Sequence, residues 1–446
     1  MTWPLPFIEQ MKNRLGPAMP DFLEALSKDP VTAIRLNPRK PGIALPWATT
    51  SVPWSAWGYY VDDRPSFTTF PPFHAGALYV QEPSSMFVEQ AVAATQLQGP
   101  LLALDLCGAP GGKSTHLLSL LAKDSLLVSN EAIQSRASIL AENIIKWGAP
   151  NTLVTQLDPE VIARKKVLFD LVVVDAPCSG EGLFRKEAKA AEEWSLANVK
   201  HCAARQDRIL EAAMEVTAPG GFLIYSTCTF EGRENEEHST LLREKAWQCC
   251  PIPMGEQHGI TPIVHQGHLA GYQFYPHKVK GEGFFIGLWQ KPGNRLPRKW
   301  SPPATGSGNS DWKSWMEESD EWVAIERQNT LHLLPTAQSG TLTALAEVLN
   351  PRYFGLAAFT RKGPHLRPTQ ALAMSGAVSH TIPTLAVDEA NALRYLAREN
   401  LPLEAPKGWH LITYHDLPLG WAKGLGHRIN NYYPQNWRIK NLDKLR

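Results

Sequence analysis

Between residues 101 and 227, short apolar runs alternate with longer segments whose apolar residues recur at helical spacing. The apolar runs cover 101–106, 126–130, 152–156, 169–174 and 222–226, each the length of a buried strand. Ala137, Leu140, Ile144 and Ile145 mark one face of a helix that Gly148 and Pro150 stop. Ile209, Leu210, Ala213 and Met214 mark a second helix, ended by the Pro-Gly-Gly at 219–221. Strand and helix in alternation predict an α/β fold: a doubly wound parallel sheet with right-handed crossovers. A helix over 235–247 and strands over 271–275 and 283–289 predict an antiparallel hairpin closing that sheet.

On either side the pattern weakens. Residues 1–95 are rich in Trp and Pro, with one helical stretch around 22–26, and form an N-terminal extension to a sheet domain over 96–292. Residues 293–310 are dense in Pro, Gly and Ser and read as a linker. Residues 311–446 suffice for one or two small α+β modules, and no internal repeat is present.

Composition narrows the classes. With 44 Lys and Arg against 43 Asp and Glu, no global field gathers polyanions, so a nucleic-acid partner requires a local basic patch. The opening MTWPLPFIEQMKNRLG lacks the basic start and apolar core of a secretory leader. No run of about 18 apolar residues spans a membrane, so a cytoplasmic protein without a membrane partner is expected. Six cysteines, at 107, 178, 202, 228, 249 and 250, form neither a CxxC pair nor a zinc-ligand spacing, and no metal is expected.

The stretch LDLCGAPGGKSTHLLSLL, 104–121, has the look of a phosphate cradle. A Walker loop, G-x-x-x-x-G-K-[ST], would need its first glycine at position 107, which is Cys107. Pro110 also removes a backbone N–H that such a loop would aim at phosphate. An ATPase survives only as a distorted variant. The alternative is an adenosyl ligand bound across the carboxyl ends of the sheet. Glu131 ends the second strand about 20 residues on, the spacing of a ribose contact; Asp158 follows the third, Asp175 ends the fourth, and Cys228 lies beyond the fifth. A single Asp after a strand is commonly a turn or helix cap, but a glycine turn, three carboxylates and a thiol in order at one edge define a crevice.

Cys178, in DAPCSGEG, and Cys228, in YSTCTF, fall at that edge, in loops whose backbone N–H groups can lower a thiol pKa. Cys202, Cys249 and Cys250 read as small buried hydrophobes, and Cys107 as a packing residue against the ligand. A thiolate beside a methyl donor suits alkylation of a pyrimidine at carbon 5: addition at carbon 6 makes carbon 5 nucleophilic. A carboxylate such as Asp175 would hold cytosine, and a second thiol would assist proton removal or release. The ring must be flipped out or single-stranded.

These segments resemble the Sun (nucleolar protein) family of S-adenosylmethionine-dependent RNA cytosine-5 methyltransferases. DLCGAPGGK is similar to the family's first cofactor motif, usually written with Ala where Gly108 stands. NEAIQSRA, QLDPE, VVVDAPCSGEGLFRK and YSTCTFEGRENE resemble the next four motifs in order, flanked by LYVQEPSSM and YPHKVKGEGFFIGLW. The resemblance implies a class I, Rossmann-like methyltransferase fold and S-adenosylmethionine as cofactor. It implies that Cys107, Gly108, Ala109, Pro110, Gly111, Gly112 and Lys113, with Glu131, Asp158 and Asp175, bind that cofactor, supported by Arg136. It makes Cys228 the nucleophile and Cys178 the thiol of acid–base chemistry and product release, an order that comes from the family and not from the spacing. Asp175 and Lys113 join the catalytic set, and Lys113 and Lys186 meet RNA or the base.

RPTQALAMSG and PLGWAKGLGHRINNYYPQNWRI resemble the carboxyl-terminal PUA-like region of bacterial RsmF-type enzymes, which modify 16S ribosomal RNA. Arg428, Arg438, Lys440, Lys444 and Arg446, interleaved with Tyr432, Tyr433 and Trp437, suit phosphates and bases. IRLNPRK, 34–40, belongs to an N-terminal RNA-binding part implied by the same resemblance. Three functions stay open: methylation of small-subunit ribosomal RNA or of its assembled subunit; methylation of tRNA; and an ATPase or non-catalytic RNA-binding assembly factor.

Overall fold

The computed structural model describes residues 3–440, other than 48, 256, 257, 308, 309 and 364, together with residue 442. Its centre is five parallel strands: β1 (Leu102–Asp105), β2 (Leu126–Asn130), β3 (Thr152–Thr155), β4 (Phe169–Asp175) and β5 (Thr217–Thr227). Their order is β5-β4-β1-β2-β3, so the winding reverses between β1 and β4 and opens a crevice at the carboxyl ends.

Successive strand residues face opposite sides. Ala103, Leu127, Val154, Leu171 and Val173 pack with α1 (Gly112–Leu120) and α2 (Gln134–Trp147). Leu102, Leu104, Val128, Val172 and Val174 pack with α3 (Pro159–Arg164) and α4 (Leu196–Val216). Burial on both faces explains the unbroken apolar runs. α2 ends at Gly148 in the left-handed region (φ 84°); a Cβ there would lie 2.3 Å from the Met374 carbonyl oxygen, so the helix end is fitted against the C-terminal region.

Among the described residues, three strands rather than two continue the sheet antiparallel beyond β5, β6 (Thr261–His265), β7 (His268–Phe274) and β8 (Phe284–Gln290), and the short strand Gln248–Cys249 also pairs with the end of β8. The helix expected over 235–247 is shorter, His238–Glu244, because Asn235 is diverted: its side chain is bound to Thr227 Oγ1 and the Thr229 carbonyl. Pro219–Gly221 lies inside β5 rather than before it.

The N-terminal region contains helices Leu5–Leu15 and Met19–Leu26 and a four-stranded antiparallel sheet in the order Thr49–Ser51, Gly58–Val61, Thr32–Leu36, Leu78–Val80. Its strands of three to five residues carry too little periodicity to be read singly. Beyond the linker, one four-stranded sheet spans Trp322–Arg327 to His365–Pro368, and a second spans Thr384–Ala386 to Ile429–Asn431. Between the second and third strands of the first of these sheets, β9 (Tyr353–Phe354) returns to pair antiparallel with β3, which ties this region into the central sheet. The linker itself is strapped down: Arg295 and Arg298 meet opposite oxygens of the buried Asp170, at 3.1 and 2.9 Å.

Candidate active site

The glycine turn after β1 is held from several directions. The Gly108 N–H donates to the Asn130 carbonyl at 2.7 Å, Arg136 Nη2 to the Ala109 carbonyl at 2.9 Å, and Asn143 Nδ2 to the Pro110 carbonyl at 2.8 Å. Ala109–Pro110 is a cis peptide. Gly111 precedes the first turn of α1, where Gly112 and Lys113 lie. A triphosphate would need free N–H groups and an unpaired lysine. Here the Gly108 N–H is engaged, and buried Lys113 is bound to Asp175 at 2.8 Å. The phosphate-loop reading therefore fails.

Beside the turn lies a cavity of about 380 Å³ lined by Cys107, Ala109, Glu131, Arg136, Asp158, Asp175, Cys178 and Cys228 among others. The sheet thus brings together the residues that its strand order places at one edge. Glu131 Oε2 meets Arg136 at 3.3 Å while Oε1 accepts the Ile133 N–H at 3.0 Å. Asp158 caps α3, accepting the Glu160 N–H at 3.0 Å, so it serves as a helix cap and as cavity wall at once. Asp175 Oδ1 takes both Lys113 and the Ser226 hydroxyl (2.9 Å).

Behind the turn, Asp105 is fully buried. Its Oδ2 accepts from Ser114 at 2.6 Å, and its Oδ1 has no partner among the described residues. Burial pushes its carboxyl up to about 7. A cationic sulfonium amino acid joined to a nucleoside fits this donor set: carboxylates for its charge and ribose, and Leu106, Ile133 and Ile209 for its apolar face. Burial and the surrounding carboxylates push the Cys107 thiol up, so it stays protonated and unreactive, as a packing residue should.

The two edge thiols meet. Cys178 Sγ lies 3.0 Å from Cys228 Sγ, and the Cys228 N–H approaches Cys178 Sγ at 3.4 Å. The expectation that both thiols are acidified is corrected for Cys178: its bond to Cys228 and its burial hold its pKa well above the usual range.

The other expected residues are more dispersed. Lys186 is exposed just beyond the Cys178 loop, while its neighbour Arg185 is buried against Glu282 at 2.9 Å. Arg428, Arg438 and Lys440 are exposed on the C-terminal module; Lys444 and Arg446 lie outside the described residues. Tyr433 is fully buried and Trp437 packs against it and under Lys146, so neither offers a free face to a base; of the three aromatics, Tyr432, beneath Arg367 at 4.6 Å, lies in a basic groove. Of the three cations of IRLNPRK, Arg35 and Lys40 are corrected likewise, being buried and bonded to protein acceptors, whereas Arg39 is exposed. Residue reading missed Ser226, Gln206, Glu181 and Glu234. The two glutamates stand within the thiol motifs, where their letters were a visible signal; Gln206 on α4 had none.

A doubly wound sheet with this crevice defines a class I methyltransferase, and its cofactor is S-adenosylmethionine. A methyltransferase homologue from Pyrococcus horikoshii is 26% identical with a TM-score of 0.53, covering 65% of this chain and 100% of that one. NSun6 from the same organism, solved with SFG, is 20% identical with a TM-score of 0.56 over 65% and 99% of the chains. The family described as 16S rRNA methyltransferase RsmB/F matches residues 94–290. The N-terminal domain of 16S rRNA methyltransferase RsmF matches 3–83, and the methyltransferase RsmF PUA domain matches 382–439. Ribosomal RNA small subunit methyltransferase F of Erwinia tasmaniensis is 30% identical, covering 97% of this chain and 96% of its own; that of Shewanella loihica is 28% identical over 94% and 91%. The chain belongs to the RsmF family of methyltransferases.

Proposed function

We propose that the protein methylates carbon 5 of a cytosine in small-subunit ribosomal RNA through a covalent adduct with Cys228. The observation that carries this reading is the 3.0 Å pair of thiols in the cavity lining, which Asp175 shares. Bound S-adenosylmethionine supplies an electrophilic methyl group. Cys228 thiolate adds to carbon 6 of cytosine, and the ring's electron pair moves to carbon 5, which takes the methyl. Cys178 gives its proton to the departing Cys228 sulfur and, left as thiolate, takes the carbon 5 proton, so the carbon 6–sulfur bond breaks, the ring double bond is restored and both thiols end protonated. Asp175, with Oδ1 held by Lys113 and Ser226, presents Oδ2 to the exocyclic amine of the base.

The choice of ribosomal over transfer RNA is supported by the names of the relatives and by the PUA match. Exposed Arg428, Arg438 and Lys440, with Lys186 nearer the crevice, are the candidate phosphate contacts. Cys228→Ala should abolish methyl transfer yet keep S-adenosylmethionine binding, and Cys178→Ala should accumulate a denaturant-resistant protein–RNA adduct. Full activity of the first variant, or no adduct in the second, overturns the assigned roles. Bisulfite sequencing of ribosomal and transfer RNA from cells with and without the gene decides the substrate; a lost mark in tRNA alone overturns the ribosomal reading.

A further inference from the structure

Each thiol motif carries a glutamate that the reaction above leaves unused: Glu181 in CSGEG and Glu234 in EGRENE. The two loops exchange them. From the Cys178 loop, Glu181 Oε2 accepts the Phe230 N–H at 3.0 Å, two residues past Cys228. From the Cys228 side, Glu234 Oε2 accepts the Ser179 N–H at 2.9 Å, one residue past Cys178. Between these bonds the Gly182 N–H donates to the Cys228 carbonyl at 2.9 Å, and the Ser179 and Thr229 hydroxyls lie 3.0 Å apart. Both carboxyl groups are completely buried, and neither glutamate lines the cavity. Each is anchored from outside: Glu181 by Trp194 Nε1 at 3.1 Å, Glu234 by Gln206 Nε2 at 2.8 Å, the same amide group that reaches the Pro177 carbonyl at 3.0 Å.

Burying two carboxyl groups this close is unfavourable unless their hydrogen bonds do something that a neutral apolar pair could not. What these bonds do is tie a side chain from each thiol motif to the backbone of the other across the gap between the thiols. We propose that Glu181 and Glu234 form a reciprocal clamp, a pair of positioning residues that fixes the separation across which Cys178 and Cys228 share a proton; this rests on the reading of those cysteines as release thiol and nucleophile. Displacement of either loop by about 1 Å would part the sulfurs and cost on the order of 100-fold in rate.

The test uses the full-length protein, with in vitro transcribed small-subunit ribosomal RNA containing 5-fluorocytidine, whose carbon 5 cannot lose a proton and so retains the adduct. Wild type should form the adduct and Cys228→Ala should not; failure of this arm overturns the underlying reading, and the clamp with it. On unmodified RNA, Glu181→Ala and Glu234→Ala should lower kcat about 100-fold, with KM and S-adenosylmethionine affinity changed less than about threefold. Glu234→Gln keeps its carbonyl acceptor for the Ser179 N–H and should recover to within about tenfold of wild type, whereas Glu181→Gln must turn its amide NH2 toward the Phe230 N–H or Trp194 Nε1 and recovers less. Glu234→Asp, which withdraws the acceptor by one methylene, reads the same effect if an Ala variant does not fold; a loss of about tenfold is expected. Wild-type kcat in the Ala or Asp variants overturns the clamp. So does a Glu234→Gln variant as inactive as Glu234→Ala, because that glutamate would then act by proton transfer and not by position.

Discussion

The two sides of the glycine turn treat charge in opposite ways. On the side of the thiol loops, carboxyl groups buried just behind the crevice wall are left incompletely satisfied: Asp105 Oδ1 and Glu234 Oε1 have no partners among the described residues, and burial holds Asp105 and Glu181 near 7. On the N-terminal side, a buried cation is satisfied almost completely. Arg35 donates to Gln81 Oε1 at 2.8 Å, Thr115 Oγ1 at 2.6 Å and the Gly112 carbonyl at 3.2 Å, and its guanidinium covers the Trp147 ring at 4.5 Å. It therefore grips the first turn of α1 from behind while clamping that turn against α2. A satisfied network behind the turn holds the groups of the ligand edge in place, as preorganisation requires. The N-terminal helices act similarly on the thiol loops: Phe7 and Phe22 pack against Phe184 and Phe230, and Arg14 pairs with Glu236 at 2.6 Å.

The sharpest way to break this contrast is Arg35→Ala. It strands the Gln81 and Thr115 acceptors and opens a void beside Trp147, so about 3–4 kcal/mol of stability should be lost. Arg39→Ala, four residues on and exposed, should stay within about 0.5 kcal/mol. Urea unfolding midpoints check both, and equal effects would remove Arg35 as the brace.

On the crevice side the expected dependence is on pH. The Asp105 carboxyl is held at about 7 when folded against an ordinary value of 3.8, so it favours the protonated folded state. Its contribution to stability is complete below about pH 4, is lost progressively as pH rises to about 7, and is constant above that. Asp105→Asn does not titrate. The stability of wild type relative to this variant should therefore fall by a few kcal/mol between pH 5 and 7.5, since a tenfold difference in proton affinity is worth about 1.4 kcal/mol. A difference that stays flat across that range would mean that Asp105 is ionised throughout.

The same contrast explains what could be read from residues alone. The crevice was legible because each group follows a strand, and strands buried on both faces announce themselves as apolar runs; chain order then becomes spatial order along one edge. Glu131, Asp158, Asp175, Cys178 and Cys228 are found together for that reason. The basic residues carry no such address. Arg35 reads as an RNA contact until Gln81, Thr115 and Trp147, from three other elements, are seen around it, and Lys40 until the carbonyls of Ala75 and Lys146 are seen at 2.6 Å each. Tyr433 in the tail is hidden for the same reason, and the two residues of β9 are too few to show any period. Glu181 and Glu234 were visible as letters, but their partners are backbone N–H groups, which no sequence pattern displays.

The smallest expected effect sharpens the contrast at a single methyl group. The family's cofactor motif usually has Ala where this chain has Gly108, and here a Cβ at that position would lie 2.8 Å from Ser114 Oγ and 3.2 Å from Asp105 Oδ2. Gly108 does not adopt a positive φ, so the obstacle is contact and not backbone strain. Gly108→Ala must turn the Ser114 hydroxyl away, and Asp105 then loses the hydrogen bond from Ser114 while remaining buried. The loss should be about 1–2 kcal/mol by urea unfolding at pH 7, and smaller at pH 5.5, where the carboxyl is protonated and can donate as well as accept. Combining Gly108→Ala with Ser114→Ala removes the 2.8 Å contact and the bond together and leaves only the 3.2 Å approach to Asp105 Oδ2, so the double variant should lie within about 0.5 kcal/mol of Ser114→Ala alone. If Gly108→Ala costs nothing in either background, the turn relaxes more freely than the packing around it implies, and the brace behind it is less rigid than Arg35 suggests.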